Sequence, residues 1–335
     1  MGGKRRIDWG QVQGEVARAL EEFSRQGVKP TLRAIFYWLV SKEVLPNTKS
    51  AYKGLSAHMV KWRQKGIFAW DCLLDTEREV KGYLSDSELN EDALKWWVED
   101  TEDLIEGLTL EDVVKKLLPW EPSFSFGRWA GQPTVPVLWV EKKALAQILH
   151  SWTEDLAVPI RVGRGYPSWT FIYASTEALK EVLARHERVM VLYLGDLDYS
   201  GVDIQRFLRE ALEYFGLPEE RVILKRIAIT EDQVERYGLP PRPEDAETLE
   251  KLAKDPRRHR YELKYVVELD ALLAYAPSAF KELVRKAILD LWDKETYEKL
   301  KARQEELRQQ LEREKSRLVQ ALRDKLIEIA TEPTP

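Results

Sequence analysis

The chain has 335 residues, 33% of them charged and 44% hydrophobic, with a formal net charge of −5. That length supports two domains with cores of their own, whereas the longest apolar runs fall far short of a bilayer span. One cysteine, Cys72, excludes an intramolecular disulfide, the four histidines are too scattered for a zinc site, and Met1–Asp8 is too basic and polar for a signal peptide; a soluble cytoplasmic protein with no membrane association is expected.

The first module, residues 1–80, is basic. Residues 1–70 carry 13 Lys and Arg against 5 Asp and Glu, a net of +8, which points to a local polyanion site. Asp8 with Gln11 resembles a capping box, and Val12, Val16, Ala19, Leu20 and Phe23 form a helical stripe ending near Gly27. Thr31 caps a second helix to about Ser41. Asn47 opens a third, which Gly66 stops. Ile67–Leu74 reads as a short strand, so the expected module is a winged helix-turn-helix that binds double-stranded DNA. Lys61, Arg63 and Lys65, at the end of the third helix, are its candidate phosphate contacts.

In the second helix, Leu32, Ile35, Phe36 and Leu39 face the core. Tyr37 lies about 100° off that stripe, with Arg33 one turn below it. A phenol there can meet a phosphate while the guanidinium neutralises an oxygen and favours the phenolate, which otherwise requires a pH near ~10. An ordinary surface tyrosine is the plain alternative.

Residues 81–134 form an acidic connector and linker. Residues 83–113 hold 11 acids against Lys95 alone, a net of −10. Asp86–Asp112, bearing Trp96 and Trp97, reads as helical, and Pro119–Pro136 as a linker. Residues 135–292 then alternate strand and helix, the pattern of a doubly wound α/β domain with a parallel sheet. The strands are Pro136–Glu141, Ile160–Gly163, Val189–Leu194 and Arg221–Ile229, and the helices Lys142–Trp152, Thr176–His186 and Gly201–Phe215. Pro240–Pro243 marks an excursion, and Tyr265–Leu272 returns to the core. Residues 293–335 are a long helix and tail. Leu300, Leu307, Leu311, Leu318, Leu322 and Ile329 follow an eleven-residue period, one apolar stripe to dock on this domain or on a second subunit.

The chemistry sits where strands end. Glu141 closes one buried strand, and Asp196 and Asp198 follow another. Ligands of parallel sheets bind at such carboxyl ends. In extended backbone Asp196 and Asp198 point the same way, and three converging carboxylates repel one another unless a cation such as Mg²⁺ lies between them. A helix N-cap is the plain reading of Asp198. Glu268 and Asp270 are further acids that either approach the metal or cap the next helix. Asp203 falls on a first helical turn, and Arg164 and Tyr166 lie in a connecting turn.

The strand-end Glu141, the Asp196-x-Asp198 pair and Gly201 opening the next helix resemble a Toprim domain. The segment Thr31–Tyr37, TLRAIFY, resembles the Arg-x-x-aromatic-Tyr motif of the family that holds the DNA-cleaving chain of topoisomerase VI and the meiotic double-strand-break protein. That family also places a winged helix before a Toprim domain, and the resemblance spans roughly residues 8–290. It implies a type IIB topoisomerase-like homodimer, nucleoid-associated, in which Tyr37 of one protomer meets the metal site of the other. Tyr37 would form a 5′-phosphotyrosyl link with Arg33 assisting, Asp196 and Asp198 would hold Mg²⁺, and Glu141 would share the metal or act as general acid/base. Tyr199-Ser200-Gly201 stands where the family has Pro after its Asp-x-Asp, and the Asp293–Ala330 helix has no counterpart there, so a compact, divergent relative is implied. No Walker motif is present; any ATPase would be a separate chain. A hydrolytic Toprim nuclease and a non-catalytic DNA-binding protein are the alternatives.

Overall fold

The structure, a computed structural model, describes residues 7–25, 29–74, 80–107, 122–163, 165–241 and 254–331. Its first three helices are α1 (Trp9–Arg25), α2 (Leu32–Ser41) and α3 (Lys49–Gln64). Each starts at a side-chain cap. Asp8 accepts the Gly10 and Gln11 N–H groups, Thr31 accepts that of Ala34, and Thr48, one residue after the expected Asn47, accepts that of Ala51. Val12, Val16, Ile35, Leu39, Leu55 and Met59 meet in one buried cluster. Gly66, at φ 72°, ends α3 in the left-handed region that glycine tolerates best.

The strand expected over Ile67–Leu74 does not form. Trp70–Cys72 make a 3-10 turn, and a single bridge joins Leu74 to Thr31. The cause is Trp70, whose ring lies 5.4 Å from that of Trp169 and 4.7 Å from that of Phe215, both in the following domain. An aromatic anchored there pulls the chain out of an extended course. Among the described residues of this module no β-hairpin stands in the place of a wing.

The acidic connector contains β1 (Val80–Lys81) and α4 (Ala93–Glu106). The helix is shorter than expected because Asp86 is buried, accepting two hydrogen bonds from Arg185 and facing His186 Nε2 at 3.2 Å. Residues 108–112, 119–121 of the expected linker and 242–243 of the expected excursion lie outside the described residues. The rest of that linker is packed rather than solvated: Trp129 is fully buried and donates to the Leu156 carbonyl at 2.8 Å.

The sheet comprises β1, β2 (Thr134–Val140), β3 (Ile160–Val162), β4 (Arg188–Leu194) and β5 (Val222–Ala228), in the order β1-β3-β2-β4-β5. The last four in sequence are parallel, and β1 adds an antiparallel edge to β3. Apolar strands without alternation are buried on both faces by helices, here α5 (Lys143–Thr153), α6 (Trp169–Leu183), α7 (Tyr199–Tyr214), α8 (Glu231–Tyr237), α9 (Leu269–Tyr275) and α10 (Pro277–Leu289). Helix α6 starts seven residues before the expected Thr176, because Ser168 caps it through the Phe171 N–H. Thr176 is buried mid-helix and bonds the Ile172 carbonyl. After β2 the chain adds β3 on one side, then crosses to β4 on the other. Strand order therefore reverses between β2 and β4, the place where doubly wound sheets open a crevice.

The tail forms α11 (Lys294–Thr331), and its leucine stripe docks on its own chain. Leu307, Leu311 and Leu318 bury against Leu94 and Trp97 of α4. No helix among the described residues is long and apolar enough to cross a membrane.

One candidate DNA contact is corrected by this packing. Arg63 is 5% exposed, donates to the Met59 carbonyl and to Thr170 Oγ1 of α6 at 2.6 Å, and stacks 5.0 Å from the Trp70 ring. It joins the two domains and does not face solvent as Lys61 and Lys65 do. Arg63→Ala should therefore destabilise the protein by about 2 kcal/mol, the scale of a lost charged hydrogen bond. Lys61→Ala and Lys65→Ala should stay within about 0.5 kcal/mol of the parent in urea unfolding. Equal midpoints for all three variants would contradict the assignment.

Candidate active site at the ends of β2 and β4

The β2–β4 ladder places Val140 opposite Leu194, so both strands end level. Glu141 follows directly on one, its N–H bonding the Leu194 carbonyl at 3.0 Å, and Gly195-Asp196 on the other. Asp196 and Asp198 are only 6% and 8% exposed. Asp196 Oδ1 accepts the Leu269 N–H at 2.7 Å. Asp198 caps α7, accepting the Gly201 N–H at 2.7 Å, so its plain reading holds alongside any further role. Between them Leu197 pairs with Val267 in both directions, which tethers the expected return segment to the acidic loop.

The loop closes on itself at Gly201. A Cβ there would lie 2.2 Å from the Asp196 carbonyl oxygen, so no side chain fits without moving the backbone that carries Asp196. Beneath the loop, Arg226 of β5 donates to the carbonyls of Gly195 (3.0 Å), Asp196 (3.1 Å) and Gly201 (2.9 Å) and to Gln205 Oε1 (3.0 Å). A half-buried guanidinium thus fixes the loop and offsets part of its negative charge.

A second cation sits on top. Lys142 Nζ lies 3.3 Å from both Asp196 Oδ1 and Glu268 Oε2 and also bonds Asp270. Burial opposes its charge, but the hydrogen bond to Asp270 and the charges of Asp196, Asp270 and Glu268 hold the ammonium pKa above its ordinary range. Sequence reasoning missed Lys142 and Arg226. The available signal for Lys142 was its place directly after a strand-end acid, whereas Arg226 inside β5 had none. Glu268 and Asp270 do reach this site, through Lys142.

Glu141 is the least satisfied of the acids. Among the described residues its buried Oε2 has no hydrogen-bond partner. Burial, then the charges of Asp196 and Asp198, push its pKa up to about 7, against the opposing pull of the Asp196 N–H and Arg226. Among the described residues no three acidic, histidine or cysteine side chains are already gathered as cation ligands. Even so, an orphaned carboxylate oxygen beside two further carboxylates is a donor set that suits a hard divalent ion such as Mg²⁺.

Tyr37 and Arg33 lie elsewhere on the surface. Tyr37 is 54% exposed on the outer face of α2, as its helical position predicted, and Arg33 is exposed one turn below. Among the described residues no hydrogen bond or ring contact joins either to the acids. Arg33 instead lines a groove of about 620 Å³ between the helical module and the turn at Tyr166–Thr170. Arg164 lies outside the described residues. No protein-family model matches the chain, and no curated protein matches it.

The state of Glu141 has a measurable consequence in metal-free protein. Its folded pKa, near 7, exceeds the ordinary carboxyl value of 4.5. The folded state therefore holds the proton more tightly, and the cost of ionising Glu141 is absent below the unfolded pKa and grows as pH rises through 7. Glu141→Gln should gain stability over the parent at pH 8, by as much as about 3 kcal/mol, and little at pH 4. Added Mg²⁺ should raise the melting temperature of the parent at pH 8 more than that of the variant. Superimposable melting curves across this range would show that Glu141 carries no such burden.

Proposed function

We propose that the chain is a DNA-cleaving enzyme similar to the cleaving chain of topoisomerase VI, built as a winged-helix-like module followed by a Toprim-like domain and acting as a homodimer. The observation that carries this reading is the acidic set at the sheet's switch point, in which Glu141 has an oxygen unsatisfied among the described residues and is pushed towards neutral pH. Buried carboxylates brought together in this way are costly to a merely structural protein.

In the proposed reaction Tyr37 Oη gives up its proton to solvent and attacks a phosphodiester phosphorus. An Oη–P bond forms, the P–O3′ bond breaks, and the products are a 5′-phosphotyrosyl link and a free 3′-hydroxyl. Arg33, one turn from the phenol, neutralises a non-bridging oxygen. Glu141, poised near neutral pH, passes a proton to the departing 3′ oxygen. A Mg²⁺ held by Asp196 and Asp198 would stabilise the charge that develops on the phosphoryl group. Exposed Lys61 and Lys65 contribute phosphate contacts on the basic module.

The separation of Tyr37 from the acids within one chain supports a site shared between two protomers. It equally favours the second reading, a hydrolytic nuclease in which water replaces the phenol. Complementation separates them. Tyr37→Phe and Asp196→Asn should each abolish cleavage of supercoiled DNA with Mg²⁺. Mixed and re-equilibrated, they should regain it as nicks, because the mixed dimer assembles one intact site, and denaturation should leave protein on 5′ ends. Full cleavage by Tyr37→Phe alone, with free 5′ phosphates, would replace the topoisomerase-like reading with the nuclease.

A further inference from the structure

Beside the acids lies a basic segment that the proposed chemistry has not used. Residues 254–261, KDPRRHRY, carry four Lys and Arg against one Asp. Pro256–His259 form a 3-10 turn capped by Asp255, which packs on α7. Arg257 pairs with Asp255 through Nε (2.8 Å) and Nη2 (2.6 Å), and its Nη1 spans the gap between two elements, donating to Tyr166 Oη at 3.0 Å and to Ser200 Oγ at 3.1 Å. Its guanidinium also lies 5.8 Å from the centroid of the Tyr166 ring. Ser200 is two residues past Asp198, so Arg257 reaches the edge of the acidic site.

One turn along α7, Asp203 gathers the rest. It accepts from Arg206 Nε (2.9 Å), Arg260 (3.2 Å) and Tyr261 Oη (2.7 Å), and from Tyr166 Oη. Burial alone would raise its pKa, but hydrogen bonds from Arg206, Tyr166 and Tyr261 hold it well below the usual carboxylate range. It is a fixed negative post that holds two phenols and two guanidiniums in place. Arg260 leans on that post from the outside, with 58% of its side chain exposed. Tyr166 is also a wall of the groove that Arg33 lines. Arg33, Tyr166 and Arg257 therefore follow one another along a path that ends at Ser200 and the acids.

We infer that Arg257 and Arg260, set by Asp203 and Tyr166, grip consecutive phosphates of a DNA strand and lead it from the Arg33 groove to Asp198. The inference rests on the nucleic-acid reading of the same site. Arg260 meets a phosphate through the exposed edge of its guanidinium, and Arg257 through Nη1, exchanging its Tyr166 and Ser200 acceptors for phosphate oxygens while Asp255 keeps Nε and Nη2. Such contacts position the strand without reading its bases.

The test is equilibrium binding of a fluorescent DNA duplex by full-length protein in EDTA, where no cleavage occurs, across a salt series. Each phosphate contact contributes ~0.9 to the slope of log affinity against log salt. Arg257→Gln with Arg260→Gln should lower that slope by about 1.8 and weaken binding at least ~10-fold at low salt, equally for unrelated sequences. Arg260→Gln alone, at an exposed position that spares the fold, should remove about half of the slope change. Lys286→Gln with Lys299→Gln, an equal charge loss on α10 and α11, should leave the slope unchanged. An unaltered slope in both arginine variants, or an equal loss in the lysine control, would overturn the inference while leaving the cleavage reading standing. A parent protein that binds no DNA would overturn both.

Discussion

Because β2 and β4 run parallel with Val140 opposite Leu194, the backbone leaves both strands at one height, on either side of the line where strand order reverses. The residues that follow cannot avoid one another. Glu141 on one strand, and Asp196 and Asp198 on the other, are placed close together by the sheet and not by any attraction between them. Everything around the site answers that crowding. Asp198 spends an oxygen on the first turn of α7, Asp196 spends one on the start of α9, and Glu141 retains the atom that has no partner among the described residues.

Two cations offset the acids in different ways. Arg226 is half-buried and committed: its donors are distributed over three loop carbonyls, so removing it would unmake the loop as well as its charge balance. Among the described residues Lys142 is held by side chains, through its contacts with Asp196, Glu268 and Asp270. The guanidinium below thus holds the backbone of the acidic loop, and the ammonium above ties its side chains to the return segment.

Much of this was legible in the sequence, for reasons tied to particular residues. Parallel strands buried on both faces declare themselves by unbroken apolar runs, and the four expected strands match those observed to within two residues at either end. The stripe of α2 predicted an exposed Tyr37, and the period of α11 predicted a docked helix. What escaped was long-range. Arg63 resembles one more surface charge between two lysines until Trp70 and Thr170 enclose it, and the Ile67–Leu74 segment resembles a strand until Trp70 finds Trp169 and Phe215. Asp86 reads as part of a solvated acidic helix because nothing local announces that Arg185 and His186 await it. Residues whose partners lie a hundred positions away leave no periodic trace.

The same long-range contacts constrain the proposed tyrosine mechanism. The helical module is not tethered loosely: Trp70 is seated among aromatic rings of α6 and α7, and Arg63 is bonded into α6. Swinging α2 towards its own chain's acids would unseat that tryptophan and expose a buried guanidinium's partners, a cost of several kcal/mol on the scale of core disruption. A fixed module with an outward-facing tyrosine needs no such movement if the acids come from a second copy. Within the tyrosine mechanism, therefore, rigidity of the domain junction argues for a site shared between protomers, with each Tyr37 presented to its partner by a surface that its own fold holds still.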